Sequence, residues 1–356
     1  MKKISAVLSA ALAVLLVCTF LLNGTRTVIQ AEDYTEKYSA ANQTRICLEA
    51  ICGLKQDMGI EIDEKNDINR TGVIGQDYSL ITTTLGNIEA KRTSTNANMA
   101  AVVVDMFHEL GLQEGDKVAI NCSGSFPALK LAVLCAGDGL GRDPLLISSF
   151  GSSTHGANDP ELTWLDMEYY LVSEGLLQHK SDYFSIGGRD DVGAEMSQET
   201  VDTIVQRLKD YGYHQLYNED LISNILERYQ IYQEFGEIRC FINIGGNDVS
   251  FGDSNVIVHA DGGILTELSE RDGSTGLVQL FLKDGVPVIH LLNIKSIAAE
   301  YGLPIDPQPL PDIGEGDVYY EYHYNKLIAW AGVAAAAIIL YTGRKCSENR
   351  RKERNL

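Results

Sequence analysis

Two long apolar runs near the ends of the chain are its strongest hydropathy pattern. Residues 4–22 are apolar except for Ser5, Ser9 and Thr19, and residues 327–341 are almost wholly apolar. A run of about 19 apolar residues is long enough to span a bilayer as a helix. The pattern therefore predicts a transmembrane helix at each end of the chain.

Each predicted span has an alternative. The first run could be a cleaved secretory signal, but the small residue Ala31 follows the run by about nine residues, which is far for a signal peptidase. The second run could be a buried core helix. Aromatic side chains around its start favour a membrane interface instead. They are Tyr319, Tyr320, Tyr322, Tyr324 and Trp330.

Basic residues lie on the outer side of both runs. Lys2 and Lys3 precede the first run, and residues 344–354 contain six Lys and Arg side chains after the second. Basic segments next to membrane helices remain in the cytoplasm. We therefore expect a cell-membrane protein with two spans in the lipid bilayer, both termini cytoplasmic and the central part extracytoplasmic.

Strand and helix patterns alternate between the two runs. Residues 113–122 predict a strand, 123–127 a tight loop, 128–141 a helix and 143–151 a second strand. Parallel strands joined by crossover helices have this order. Because the alternation continues to about residue 304, we predict an α/β fold with an open, mainly parallel sheet and helices on both faces.

These patterns divide the chain into six predicted parts. They are an N-terminal transmembrane anchor at 1–23, a helical stalk and polar linker at 24–78, an extracytoplasmic α/β domain at 79–303, a Pro-containing linker at 304–323, a C-terminal transmembrane helix at 324–343 and a basic cytoplasmic tail at 344–356.

Composition and charge narrow the function classes. Hydrophobic residues make up 45% and charged residues 22% of the chain, as in folded globular proteins. The 29 Lys and Arg against 49 Asp and Glu give a net charge of −20. Nucleic acid is therefore not an expected partner, because phosphates require a basic surface.

Glycine-rich or polar loops follow each predicted parallel strand. Ligands of open α/β sheets bind outside the carboxyl ends of the strands, and the 123–125 loop opens a helix whose free amides suit an anion. The loops could equally be ordinary turns. The predicted ligand-binding residues are Ser123, Gly124, Ser125, Asn158, Asp159, Gly187, Gly188, Arg189, Gly246 and Asn247.

Two chemistries are open at this edge. In one, Ser125 is a nucleophile, His155 its base and Asp248 or Asp159 the carboxylate that orients the base. In the other, Asp190, Asp191 and Asp248 hold a divalent cation, the one cofactor that the loops suggest; these side chains could also simply cap helices. The cations near the loops that could receive a carboxylate are Arg189, Lys130 and Arg142.

One long block carries a family resemblance. Residues 121–168, with GGRDDVG at 187–193 and INIGGND at 242–248, resemble the poly-γ-glutamate system protein family, and the resemblance extends over nearly the whole chain. It implies a place beside the poly-γ-glutamate ligase and its integral-membrane partner, which make and export a polymer of glutamate. It supplies no established catalytic residue.

Two functions remain open. The first is a membrane-anchored accessory component of poly-γ-glutamate synthesis or export. The second is a hydrolase or transferase that acts on the exported polymer through a serine or a metal-activated nucleophile. The polymer is a polyanion and the chain is acidic, so contact is expected only locally, near the 123–125 loop and Arg189, unless the domain helps passage by not retaining the polymer.

Overall fold

The computed structural model describes residues 2–252, 254, 260–267 and 273–354. The chain forms two compact units. The two terminal segments make up one unit, and Glu32–Tyr319 make up the other. The α/β unit carries the predicted site.

The terminal unit contains two long helices, α1 (Lys2–Gly24) and α12 (Lys326–Arg354). Strand β1 (Thr27–Gln30) follows α1 and pairs antiparallel with β11 (Tyr320–His323), which precedes α12. Both helices contain a stretch long and apolar enough to cross a membrane, and few of the residues in these stretches are buried.

The two apolar helices run antiparallel and touch through glycines. A Cβ on Gly332 would lie 2.7 Å from Cys18 Sγ, and one on Gly343 would lie 2.5 Å from Val7. Small residues let helices approach closely in the same way inside membranes. Because β1 and β11 pair at one end of the two helices, Lys2 and Arg354 lie toward the opposite end.

The α/β unit is built on a sheet that has, among the described residues, seven strands in the order β7-β6-β3-β2-β8-β10-β9. All are parallel except β9, which pairs antiparallel with β10. The strands are β2 (Lys117–Cys122), β3 (Asp143–Ser149), β6 (Tyr183–Ser185), β7 (His214–Gln215), β8 (Ile238–Ile244), β9 (Gly263–Leu265) and β10 (Val288–Leu291). The predicted α/β class with a mainly parallel sheet is confirmed.

Helices connect and cover these strands. They are α2 (Tyr34–Asp57), α3 (Ile88–Ser94), α4 (Met99–Glu109), α5 (Pro127–Gly139), α6 (Trp164–Ser173), α7 (Gln198–Asp210), α8 (Leu221–Phe235), α9 (Asp248–Phe251), α10 (Leu277–Lys283) and α11 (Ile294–Glu300). A small hairpin, β4 (Asn158–Asp159) with β5 (Leu162–Thr163), precedes α6.

Alternate residues of the strands face two helical layers. Ala119 of β2 and Phe241 of β8 belong to an apolar cluster with Tyr232 of α8 and Phe281 of α10. Cys122, an odd number of residues from Ala119, interacts with Lys130 of α5, and α5 packs with α2 and α4. Burial on both faces explains why the strands are almost continuously apolar.

Local signals set the start of helix α6, and one segment differs from the predicted outline. Helix α6 begins at Trp164, because Thr163 and Asp166 form a capping box at that point and β5 precedes it. The predicted stalk helix, α2, packs against α4 and α5 within the same compact unit as the sheet. The seven thiols, including those of Cys47 and Cys52, are free.

The strand order reverses between β2 and β8. From β2 the chain moves outward through β3, β6 and β7, and it then returns to place β8 on the other side of β2. Crevices at such reversals are the usual ligand sites of open α/β sheets. The loops after β2, β3 and β8 therefore form the candidate ligand-binding edge.

Candidate functional site

The loops after β2 and β3 are joined by hydrogen bonds. Gly124 N donates to Gly151 O over 3.0 Å, and Ala157 N donates to Gly124 O over 2.9 Å. Ser153 N donates to the Ser125 hydroxyl over 3.0 Å. The predicted loop at 123–125 and the predicted loop at 151–159 thus form one continuous surface.

Residues 72–87, which we call the strap, lie across the loop after β3. The first part of the strap precedes the predicted α/β domain at 79–303. Its Thr83 N donates to Ser152 O over 2.8 Å, and its Thr84 O accepts from Thr154 N over 2.9 Å. Much of the polar stretch expected to be a linker is therefore a folded cover whose backbone pairs with the loop.

This pairing changes what the loop after β3 can offer to a ligand. The backbone amides of residues 151–158 all donate within the protein, to backbone carbonyls or, for Ser153, to the Ser125 hydroxyl. An amide that already donates is not available to an incoming anion. The chemistry at this loop must therefore come from side chains.

Lys91 is the side chain that brings chemistry to this surface. It lies on α3, directly after the strap, where Asn87 caps the helix by accepting from Ala90 N over 2.9 Å. Lys91 is only 1% exposed. Its Nζ lies 2.7 Å from Ser153 Oγ, donates to Ser125 O and sits 3.9 Å from the centre of the Phe126 ring.

Burial lowers the pKa of Lys91 to about 7. Removing an ammonium ion from water penalises its charged form unless an anion compensates. The contacts of Lys91 Nζ are a carbonyl, a hydroxyl and a ring face. An amine in this state can exchange a proton with Ser153 near neutral pH.

Gly86 of the strap lies directly over the pair. A Cβ at this position would be 2.9 Å from Lys91 Cε, 3.0 Å from Ser153 Oγ and 2.5 Å from Thr154 O. These distances are too short for a methyl group unless something moves. Glycine at this position is therefore what allows the strap to close over Lys91 and Ser153.

The predicted triad of Ser125, His155 and Asp248 is not connected by any hydrogen bond or ion pair within the described part of the chain. Ser125 Oγ accepts from Ser153 N, whereas His155 Nδ1 lies 3.6 Å from Asp77. Asp248 Oδ2 accepts from Asp190 N over 2.8 Å. Burial lowers the pKa of His155, and Asp77 only partly opposes this.

Comparison with known proteins finds no relative of this chain. No family model, curated protein or solved structure matches it.

Asp191 does not belong to an open cation site. Its carboxylate is buried and accepts from Arg228 over 2.5 Å, from Asn224 over 2.9 Å and from Ser185 over 2.9 Å. Burial raises the pKa of Asp191, with Arg228 as the main opposing influence. Across the described residues, no three His, Cys, Asp or Glu side chains are grouped so as to hold a metal ion.

The crevice between β2 and β8 is filled by the protein's own polar groups. Asn121 at the end of β2 accepts from Arg228 over 2.7 Å and donates to Ser250 over 2.8 Å. Ser250 in turn donates to Asn243 of β8. All four side chains are buried, so this network holds the two strand ends together below the loops.

The remaining predicted ligand residues have local structural partners. Asn158 holds the strap, and Asp159 accepts from Glu161 N. Gly187 and Gly188 have φ of 83° and 74°, a turn that favours glycine. Ser123 is buried, with its hydroxyl near Ser125 N at 3.4 Å. Gly246 and Arg189 still face solvent. Asn247 caps α9.

Two of the cations proposed to receive a carboxylate are buried away from solvent. Lys130 lies with its Nζ 4.7 Å from the centre of the Trp164 ring. Arg142 donates to the carbonyls of Leu140 and Leu112 over 3.0 Å each. Arg189 alone of the three is exposed, so local binding of an anion at this edge rests on it.

Sequence reasoning missed Lys91. A single lysine in a short helix after a polar stretch has the pattern of a solvated side chain. Its burial depends on the loops after β2 and β3, which lie more than thirty residues away along the chain. The one signal in the sequence is the polar loop after the second predicted strand, which contains Ser153.

Proposed function

We propose that the chain is a membrane-anchored accessory component of poly-γ-glutamate synthesis or export, with its α/β unit outside the membrane. The observation that carries this proposal is the position of the block that resembles the poly-γ-glutamate system protein family. Residues 121–168 build the end of β2, helix α5, strand β3 and the loops that contact Lys91.

The terminal unit supports a membrane location. Helices α1 and α12 run side by side, and their apolar stretches are mostly exposed rather than packed in a core. An exposed apolar surface of this length needs a nonpolar environment. With both chain ends at the same end of the pair, the basic residues at both termini meet the same membrane surface.

The acidic charge of the chain supports local rather than extended contact with the polymer. Arg189 is exposed at the end of β6, with Asp190 beside it and its backbone N–H bonded to Glu195. Such a surface does not retain a long polyanion. This favours a partner that handles the polymer briefly while the ligase and its integral-membrane partner make and export it.

Deletion and complementation in cells that contain the poly-γ-glutamate system test this function. Loss of the chain should lower the amount of polymer outside the cell, and the full chain, but not a version with unrelated spans in place of α1 and α12, should restore it. The full chain should also co-purify with the ligase or its membrane partner.

A matched control keeps the anchors and changes an exposed serine, Ser296→Ala on α11. This variant should restore polymer as well as the wild-type chain does. Unchanged polymer after deletion, together with no association with the ligase or its membrane partner, contradicts the proposed function.

A further inference from the structure

We propose that Ser153 and Lys91 are the nucleophile and general base of an amidohydrolase site that cleaves amide bonds between γ-linked glutamate residues. The pair itself is inferred from geometry, whereas the substrate class rests on the proposed function. Ser153 and Lys91 take the place of the triad of Ser125, His155 and Asp248 expected from the sequence.

The distance between the two groups fits proton transfer. Lys91 Nζ lies 2.7 Å from Ser153 Oγ, within the range that a nucleophile and its base require. When Lys91 is neutral, its two N–H groups remain donors and its lone pair can accept the proton of Ser153. The bond from Lys91 Nζ to Ser125 O occupies one N–H, which leaves the lone pair two possible directions on the nitrogen.

The absence of a counter-charge distinguishes Lys91 from Lys37. Lys37 is also buried, but its Nζ forms ion pairs with Asp105 at 2.7 Å and Asp33 at 3.0 Å. Among the described residues, no carboxylate forms an ion pair with Lys91. A lysine that only holds two loops together would gain from such a partner, whereas a base must lose its proton easily.

Each chemical step is balanced by these two residues and water. Ser153 Oγ attacks the amide carbonyl carbon and its proton moves to Lys91 Nζ. The C–N bond then breaks as Lys91 returns that proton to the leaving nitrogen. Water attacks the resulting ester, Lys91 takes its proton and passes it to Ser153 Oγ, and the products are one amine and one carboxylic acid.

Access to Ser153 runs through the strap. Ser153 is 7% exposed, and Gly86 lies over it and over Lys91. Leu85 of the strap is already 91% exposed, so displacing this part of the strap uncovers little apolar surface. The site is thus closed at rest and opens by movement of residues 83–86.

The test uses the full chain in lipid nanodiscs with two probes. A fluorophosphonate, followed by peptide mass mapping, reports a nucleophilic serine. Defined poly-γ-glutamate oligomers, followed by mass spectrometry, report amide cleavage. The wild-type chain should be labelled at Ser153 and should shorten the oligomers.

Variants assign the roles. Ser153→Ala and Lys91→Met should each lower both rates by about a hundredfold or more, the contribution expected of a nucleophile and its base, while Ser296→Ala leaves them unchanged. Lys91→Met changes a buried site and could prevent folding. In that case Ser153→Ala, which removes only one hydroxyl, tests the proposal. The wild-type labelling rate should also rise with pH through about 7.

Failure of the pair and failure of the substrate class are distinguishable. A folded chain that is not labelled at Ser153, or oligomer cleavage that survives in Ser153→Ala, overturns the pair. Labelling at Ser153 that depends on Lys91, with oligomers left intact, supports the pair and overturns the γ-glutamyl substrate.

Discussion

Asn158 holds the backbone of Gln76 from both sides. Its Oδ1 accepts from Gln76 N over 2.8 Å, and its Nδ2 donates to Gln76 O over 2.9 Å. The side-chain amide thereby replaces one residue of a neighbouring strand. It joins the strap to the loop after β3 at a point where the sequence predicts a ligand-binding residue.

Replacing Asn158 by alanine should release the strap. The change removes both hydrogen bonds to the Gln76 backbone and the bond to Thr82 Oγ1, at a cost of about 1–3 kcal/mol, while Gln76 O still accepts from His155 N. We expect faster amide hydrogen exchange at Thr83 and Ser152, with little change in the strands of the sheet. Hydrogen exchange read by mass spectrometry measures this.

Gln76→Ala is the matched control for the release of the strap. The hydrogen bonds between Asn158 and Gln76 involve only the backbone of Gln76, while the Gln76 side chain makes one long hydrogen bond of 3.4 Å to Asp159. Gln76→Ala should therefore keep strap protection close to wild type. Equal exchange rates in the two variants would show that the Asn158 side chain does not hold the strap in place.

The stability of the chain should rise with pH above neutrality because of Lys91. Burial lowers its pKa to about 7, whereas an unfolded lysine titrates near 10.4. Between these values the unfolded chain holds a proton that the folded chain lacks, so the free energy of unfolding increases by up to ~1.4 kcal/mol per pH unit.

The comparison of wild type with Lys91→Met isolates this contribution, because burial also lowers the pKa of Lys55 and Lys130. Thermal unfolding midpoints between about pH 7 and about pH 9 should rise more in wild type than in the variant. Parallel profiles would mean that Lys91 keeps its proton in the folded chain.

Breaking the buried pair of Arg228 and Asp191 should be strongly destabilising. Their side chains are 0% and 2% exposed and lie 2.5 Å apart. Arg228→Met leaves the Asp191 carboxylate buried without its partner, which costs about 3–5 kcal/mol. Adding Asp191→Asn should recover part of this loss, and denaturant unfolding of the single and double variants measures the coupling.

An exposed ion pair provides the control for the Arg228 and Asp191 variants. Lys295 and Glu89 lie 2.9 Å apart, and both side chains are substantially exposed. Lys295→Met should cost about 1 kcal/mol or less. If Arg228→Met costs no more than Lys295→Met, the network around Asn121 does not depend on the charge of Arg228.

Cys346 gives a direct test of membrane orientation. Its thiol is exposed at the last residue of the apolar stretch of α12, so the proposed topology places it at the cytoplasmic end of that span. In a Cys52→Ser background, a membrane-impermeant maleimide should label Cys346 only after the cells are opened. Cysteine placed at exposed Ser173 should be labelled from outside, and the reverse pattern would invert the topology.

The crossover units were predictable because their patterns are local. The apolar strand β2, the turn after it and the helix α5 follow one another directly in the sequence. Because β2 and α5 are buried along most of their length, their residues form nearly continuous apolar runs. The strap was not predictable, because its polar residues satisfy their backbone groups against a loop about seventy residues away. Lys91 was missed for the same reason, since its environment is made by Ser125 and Ser153.

The strap and Lys91 belong to one uninterrupted piece of chain. Gly86 lies five residues before Lys91, and helix α3 begins at Ile88. A pull on the strap is therefore also a pull on the helix that carries the amine. Substitutions that change how often the strap opens should therefore also change the pKa of Lys91. Access to the site and the reactivity of its amine cannot be altered independently.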